Sequence, residues 1–96
     1  MKTKSSSGNV FQDLGFDREE AENLRIRALL MAELEKYIER EGISQVEAAR
    51  RMGVRQPRVS DLIRGKIDIF SVDGLLAMLS KVGMTVTVHV GKDRAA

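Results

Sequence analysis

The stretch Ser44–Lys66, SQVEAARRMGVRQPRVSDLIRGK, carries the strongest structural signal in this chain. It holds six of the 16 Lys and Arg residues of the 96-residue sequence, together with its only proline, Pro57. Six basic against two acidic side chains give these 23 positions a formal charge of +4, whereas the rest of the chain sums to −2. The positive charge of the protein is therefore concentrated on one segment.

The first half of this stretch predicts a short helix over residues 45–52 that ends in a tight turn. Ser44 stands at the N-cap position, and Glu47 three residues later would complete a capping box. Gly53 would end the helix, because glycine readily adopts the positive φ that a tight turn requires. Ala49 is small, which would allow a second helix to cross close over the first.

The second half predicts another short helix, over residues 56–64, ended by Gly65. Pro57 fits this interpretation because proline is tolerated in the first turn of a helix, where its missing N–H would have no intrahelical partner. Two short helices joined in this way form a candidate helix-turn-helix. Five apolar side chains are expected to point inward and set the angle between the helices: Val46, Met52, Val54, Val59 and Leu62.

The second helix would present an outward face of basic and polar side chains, which suits the major groove of DNA. Arginine can bind guanine O6 and N7, and glutamine can bind adenine N6 and N7. Base edges are therefore expected to be contacted by the following residues, the last two at the margin: Arg55, Gln56, Arg58, Ser60 and Asp61. Phosphates are expected to be contacted by Gln45, Arg64 and Lys66.

Two points in this interpretation stay open. Arg50 and Arg51 are not assigned to the interface, because the first helix can turn them to its far side. The whole segment could also be a solvated basic face on a helical bundle. The combination of a small residue, a turn glycine, inward aliphatic side chains and a capped helix favours DNA binding over that alternative.

Helical patterns flank this unit on both sides. Before it, apolar residues at three- and four-residue spacing predict a helix over residues 18–41, with Asp17 and Glu20 as a capping box and Gly42 at its end. After it, Ser71 would cap a helix over residues 72–82. A loop between the two is expected to cover the core with Ile67, Ile69 and Phe70. The last helix is expected to turn four side chains inward: Leu75, Leu76, Met78 and Leu79.

After Gly83 the period of the pattern changes from helical to alternating. The segment MTVTVHV, residues 84–90, places apolar residues on one face and polar residues on the other, which predicts a β-strand. A lone strand has unpaired backbone donors and acceptors, so its partner would be the same strand of a second copy. The predicted dimerisation face consists of Met84, Val86, Val88 and Val90.

The central pattern resembles the helix-turn-helix of the phage-repressor-like XRE (Cro/C1-type) DNA-binding proteins. It is carried over residues 28–82 by Gln45, Ala48, Ala49, Gly53, Val59 and Leu62. The flanking stretches VFQDLGF and MTVTVHV extend the resemblance to residues 9–91 and are similar to the HigA-like antitoxin branch. The resemblance implies a mainly α, four- to five-helix domain with a C-terminal β-strand that pairs across a dimer.

The resemblance also implies a function and a set of contacts. Such proteins are symmetric dimers that bind palindromic operators, and the antitoxin members repress their own operon and neutralise a RelE/HigB-like mRNA-cleaving toxin. The family's base contacts fall here on Arg55, Gln56, Pro57, Arg58 and Ser60, and its phosphate contacts include Gln45. Pro57 departs from the pattern, because a hydrogen-bonding side chain is common at that site.

Composition limits the other possibilities. Cysteine is absent, and no apolar run approaches the roughly 20 residues of a membrane span, so a cytoplasmic protein is expected. His89 is the only histidine and has no metal-ligand spacing around it, so we expect no cofactor, no metal and no enzyme. The predicted organisation is a flexible tail over 1–9, a helix-turn-helix domain over 10–91, and a flexible tail over 92–96.

The purpose of the DNA binding has two interpretations. Phe11, Leu14 and Phe16 precede the long helix, and Ile26, Leu29 and Leu30 spread beyond one apolar stripe. These side chains either complete the core or the dimer, or they bind a toxin. If no toxin partner exists, the chain is a stand-alone repressor of the XRE type.

Overall fold

The computed structural model describes residues 8–92. Within this range the chain is mainly helical, as predicted. Its elements are, in order, α1 (Val10–Asp13), α2 (Arg18–Glu41), α3 (Gln45–Met52), α4 (Gln56–Ile63), a 3₁₀ turn (Ile67–Ile69) and α5 (Val72–Lys81). None of the helices in this range is long and apolar enough to cross a membrane.

Side-chain caps explain where the helices begin. Asp17 Oδ1 accepts a hydrogen bond from the Glu20 N–H at 2.8 Å, and Ser44 Oγ accepts one from the Glu47 N–H at 3.1 Å. Ser71 Oγ accepts one from the Gly74 N–H at 3.0 Å. Each of these bonds satisfies a backbone donor that has no partner inside its helix, which stabilises the start of the helix.

A one-turn helix, α1, lies in the stretch VFQD, where the sequence pattern predicts no helix. Asn9 is its N-cap: the side-chain Oδ1 accepts from the Phe11 N–H at 2.9 Å. The Asn9 Nδ2 donates to the Ala21 carbonyl at 3.1 Å, so this buried side chain joins α1 to α2. Asn9 therefore belongs to the folded domain and not to the predicted tail over 1–9. Residues 1–7 and 93–96 lie outside the described range.

The core is built around α2, which packs against α1, α4, α5 and the 3₁₀ turn. Burial follows helical spacing: α5 buries Leu75, Met78 and Leu79, which recur at three and four residues. The largest fully buried side chains come from four helices: Leu34, Met52, Val59, Leu62, Leu75 and Leu79. These fully buried side chains are all Leu, Met or Val.

Three of the predicted inward positions are wrong. Val46 is 68% exposed, because α3 buries only the face that carries Ala48, Ala49 and Met52. Leu76 is exposed because it follows Leu75 by a single residue and is rotated about 100° away from the buried face of α5. Ile69 is exposed because a 3₁₀ turn has three residues per turn. That geometry places Ile67 and Phe70 together on the inner side and leaves Ile69 outside.

The predicted β-strand over residues 84–90 is not present in the described chain, where this segment has no regular secondary structure. Met84 packs against the core and its N–H donates to the Leu79 carbonyl at 3.0 Å. Beyond it, Val88 and Val90 are 76% and 87% exposed. The alternating pattern alone cannot produce a strand, because a strand requires hydrogen bonds from a neighbouring one and residues 8–92 supply none.

The segment between α4 and α5 is held in place by Arg27 of α2. Its Nη1 donates to the carbonyls of Ile67 and Phe70, both at 3.1 Å, while its Nε donates to Asn23 Oδ1 at 2.7 Å. The Ile67 carbonyl also accepts the hydrogen bond that closes the 3₁₀ turn, from the Phe70 N–H at 3.3 Å, so Arg27 adds a second donor there and a donor to the carbonyl of the residue that ends the turn. Arg27 therefore positions the segment that follows α4.

Candidate nucleic-acid interface

The helix-turn-helix consists of α3, the turn at Gly53 and α4. Gly53 has φ +72°, the left-handed conformation that the tight turn requires. The side chain of Lys81 covers this turn, and a Cβ built on Gly53 would lie 3.3 Å from Lys81 Cε. Both the conformation and the close contact favour glycine at this position.

α4 buries the two apolar residues that the sequence predicts to point inward and exposes most of its predicted outward face. Val59 and Leu62 are fully buried, and α4 packs mainly against α3 and also against α2. Arg55, the N-cap residue, forms no side-chain capping bond, and Pro57 lies in the first turn. The first four of the six predicted base-contacting residues, Arg55, Gln56, Pro57 and Arg58, are exposed. The other two, Ser60 and Asp61, are partly buried.

The N-termini of α3 and α4 are joined by a hydrogen bond between two glutamines. Gln56 Nε2 donates to Gln45 Oε1 at 2.6 Å. This bond brings a predicted base-contacting residue and a predicted phosphate-contacting residue next to one another. It also fixes the amide of Gln56 with one of its two donors engaged, so its remaining polar atoms face outward in a defined orientation.

Arg58 is held by the segment that follows α4. Its Nη1 donates to the Ile69 carbonyl at 3.2 Å, and its Cζ lies 5.4 Å from the centre of the Phe70 ring. One face of the guanidinium therefore contacts an aromatic ring, while most of its five N–H groups remain available to a ligand. The sequence did not indicate this arrangement, because nothing in the pattern shows that residues 67–70 fold back beside α4.

The remaining predicted cations differ in their surroundings. Lys66 Nζ lies 3.7 Å from Asp61 Oδ1, a contact that offsets the carboxylate charge on this face of α4. Arg55 and Arg64 form no side-chain hydrogen bond or ion pair with another residue between 8 and 92. Arg55, Arg58, Arg64 and Lys66 thus give the face around α4 a positive charge, which suits the negative backbone of a nucleic acid.

Arg50 and Arg51 differ from these cations because both pair with carboxylates of the same chain. Arg50 forms two hydrogen bonds with the Glu47 carboxylate, at 2.5 and 3.0 Å. Arg51 contacts Glu47 at 2.8 Å, Glu41 at 3.2 Å and the Tyr37 hydroxyl at 3.1 Å. The Glu47 carboxylate is engaged by these arginines and does not complete a capping box with Ser44. Arg51 therefore joins α3 to α2, whereas Arg50 pairs only within α3 and keeps a side chain that is 71% exposed.

The two arginines lower the pKa of Glu47 to about 2, with the hydrogen bond from Arg50 as the larger cause and that from Arg51 as the next. The ordinary pKa of about 4.5 applies to the unfolded chain. A depressed pKa in the folded state stabilises the fold above pH 4.5, and this contribution is lost as the pH falls from 4.5 to 2. We therefore expect Glu47→Gln to lower the melting temperature near pH 7 and to have a much smaller effect near pH 2.

Thermal unfolding followed by circular dichroism between pH 7 and pH 2 measures this difference. Glu33→Gln is the matched control, because Glu33 forms only a surface pair with Lys36 at 3.3 Å. A gap between the Glu47→Gln and unaltered proteins that stays constant over the whole range would contradict the role given to the Glu47 carboxylate.

Comparison with known proteins agrees with this geometry. Residues 10–91 match a family described as helix-turn-helix domain. A solved structure of a protein provisionally described as an XRE family transcriptional regulator shares 33% sequence identity with the chain. The match covers 78% of this chain and 84% of that one, with a TM-score of 0.71. No curated protein matches this chain. The sequence resemblance to the XRE helix-turn-helix proteins is confirmed, and the chain belongs to the helix-turn-helix family, in its XRE group of transcriptional regulators.

Proposed function

We propose that the protein is a sequence-specific operator-binding repressor that inserts the N-terminal half of α4 into the major groove of DNA. The observation that carries this proposal is the exposure of Arg55, Gln56 and Arg58 on one end of a helix whose opposite face is fully buried. Base edges would be read by Arg55, Gln56, Pro57, Arg58, Ser60 and Asp61. Phosphates would be bound by Gln45, Arg64 and Lys66.

Selection of duplexes from a random pool tests this proposal, followed by affinity measurements on the selected sequence and on bulk competitor DNA. We expect a defined preferred sequence, because the polar side chains of α4 would discriminate between bases. The four cations around α4, Arg55, Arg58, Arg64 and Lys66, would hold the helix against the groove. We also expect the affinity to fall steeply with salt, since phosphate contacts release bound counterions. Equal affinity for every duplex would contradict the proposal.

The protein would act as a homodimer on a palindromic operator. Support comes from the segment 84–90, where Val86, Val88 and Val90 repeat on every second residue and are exposed to solvent in the single chain. Contact between two such segments across a two-fold axis would remove these side chains from water. The two copies of α4 should then lie about 34 Å apart, one turn of DNA.

A truncation after Gly83 tests the role of this segment. We expect the shortened protein to be monomeric and to bind the selected operator poorly, because each half-site contact would then form independently. Light scattering measures the mass, and unfolding in urea checks that the helical domain is intact. A truncated protein that still forms dimers would contradict the assignment of the dimer interface to Met84, Val86, Val88 and Val90.

A second function, binding a RelE/HigB-like toxin as an antitoxin of the HigA-like branch, is supported by a separate observation. Ile26 and Leu30 pack into or against the core, as one interpretation expects, but Leu14 is 71% exposed, and Phe16 and Leu29 are exposed as well. The fold of one chain leaves these apolar side chains exposed, so they could bury apolar surface against a protein partner.

Co-expression with the product of the adjacent gene distinguishes the two functions. An antitoxin should co-purify with a small toxin, and Leu14→Asp should release that toxin while leaving operator binding unchanged. The matched change Val46→Asp places a charge at a similarly exposed aliphatic position on α3 and should not release it. A chain that binds its operator but retains no neighbouring gene product is a stand-alone repressor.

A further inference from the structure

A recess lies beside the first turns of α4, on the face that we propose for base contacts. It has a volume of about 510 Å³ and is open to solvent. Four predicted base-contacting residues line it, Arg55, Pro57, Arg58 and Asp61, and its other two walls are Val54 and Ile69. Three of the six residues that line the recess are apolar, so the surface predicted to contact bases is not uniformly polar.

The apolar walls come from three separate parts of the chain. Val54 lies in the turn before α4, Pro57 in the first turn of α4, and Ile69 in the 3₁₀ turn after α4. Ile69 remains 44% exposed even though Ile67 and Phe70 on either side of its turn pack inward. Packing within residues 8–92 therefore leaves nearly half of the Ile69 surface open to solvent.

The polar walls are arranged around this apolar centre. Arg58 is fixed there by its bond to the Ile69 carbonyl and by its contact with Phe70, so its guanidinium cannot close over the recess without breaking both. Asp61 is paired with Lys66 at 3.7 Å, which reduces the repulsion between its carboxylate and a nucleic acid. The recess is thus an apolar site with cationic borders, complementary to an apolar group attached to a polyanion.

In the major groove the only apolar group that an unmodified base pair presents is the C5-methyl group of thymine. We propose that this recess holds that methyl group, with Ile69, Pro57 and Val54 as its contacts. The recess would make the protein prefer a T·A pair at one position of each half-site, a preference that hydrogen bonding by arginine and glutamine does not supply. This inference rests on the proposed operator binding by α4.

The test uses the full chain and its selected operator, in which each thymine is replaced in turn by deoxyuridine. This replacement removes one methyl group and leaves the hydrogen-bonding edge of the base unchanged. We expect one position per half-site at which it weakens binding about four-fold, the value for one buried methyl or methylene group. At that position Ile69→Ala should bind the two operators with nearly equal affinity.

Ile63→Ala is the matched control, because Ile63 is 43% exposed and Ile69 is 44% exposed, while Ile63 lies on the other side of α4 beside Ala32 and Lys36. It should keep the full deoxyuridine effect. Pro57→Ala removes a different wall of the recess and should reduce the deoxyuridine effect at the same position. It provides the test if Ile69→Ala fails to fold.

The outcomes separate this inference from the proposed function. A clear sequence preference with no deoxyuridine effect at any position overturns the methyl site and leaves operator binding intact. An effect that Ile69→Ala and Pro57→Ala both preserve, or that Ile63→Ala also abolishes, overturns the assignment to this recess. Absence of any sequence preference in the unaltered protein overturns both the recess and the proposed function.

Discussion

Replacing Leu62 by alanine should lower the free energy of unfolding by about 2–5 kcal/mol. Leu62 is fully buried in the cluster that joins α4 to α2, α3 and α5, so the shorter side chain removes apolar contacts and leaves a cavity that packed neighbours can fill only in part. A domain of this size has a stability of only about 5–15 kcal/mol, so the change is a large fraction of the total. Urea unfolding followed by circular dichroism measures it.

The neighbouring residue is the control for this experiment. Ile63 is on the same helix but is partly exposed, so Ile63→Ala should cost less than about 1.5 kcal/mol. Leu62→Ala should also weaken operator binding at temperatures where part of the protein is unfolded, and binding should recover on cooling toward the temperature of maximum stability. Equal losses of stability for the two variants would show that α4 is not anchored through its Val59 and Leu62 face.

Replacing Arg58 by alanine should weaken binding to the selected operator by about 1–3 kcal/mol per half-site and relax the preference at one base step. The reason is that a guanidinium already fixed by the Ile69 carbonyl and the Phe70 ring is preorganised, so little conformational entropy is lost when it binds a base. Fluorescence anisotropy with operators changed at single positions measures both effects.

Two further variants show whether Arg58 binds a base or contributes only its positive charge. Lys66→Ala should weaken binding to all sequences alike and flatten the dependence on salt, because a phosphate contact carries no sequence information. Arg58→Lys keeps the charge but loses the bidentate donors and the flat face, so it should behave like Arg58→Ala in specificity. If Arg58→Ala weakens every duplex equally, Arg58 contacts the backbone or only positions the 3₁₀ turn.

The helices could be predicted because their signals are local. Asp17, Ser44 and Ser71 each bond to a backbone N–H three residues later, and glycine in the left-handed conformation ends α2 and α3. The predicted bounds of α2 and α3 agree with the structure, and those of α4 and α5 differ by one residue at the C-terminal end. The one-turn helix α1 was not predicted because its four residues are too few to show a helical period.

The residues of the candidate site are a prediction from the sequence, and all of them lie on or next to α3 and α4. The intramolecular partners of these residues could not be predicted from the sequence. Gln45 and Gln56 bond to one another, Arg58 bonds to Ile69, and Asp61 faces Lys66. In the same way Arg50 and Arg51 were undecided until their partners Glu47, Glu41 and Tyr37 were known. The pairings between different elements depend on how those elements pack, whereas those of Arg50 and Arg51 with Glu47 lie within α3 at three- and four-residue spacing.

The amino-acid sequence of this protein was sufficient for its helical class, its helix-turn-helix unit and the concentration of positive charge on that unit, because capping, periodicity and charge are properties of neighbouring residues. Tertiary packing joined Arg58 to the segment after α4, placed Ile69 beside Pro57 and left residues 84–90 without a strand partner among residues 8–92. The physical reason is that side-chain hydrogen bonds and apolar recesses join distant parts of the chain. Arg27, for example, bonds to the Phe70 carbonyl 43 positions away.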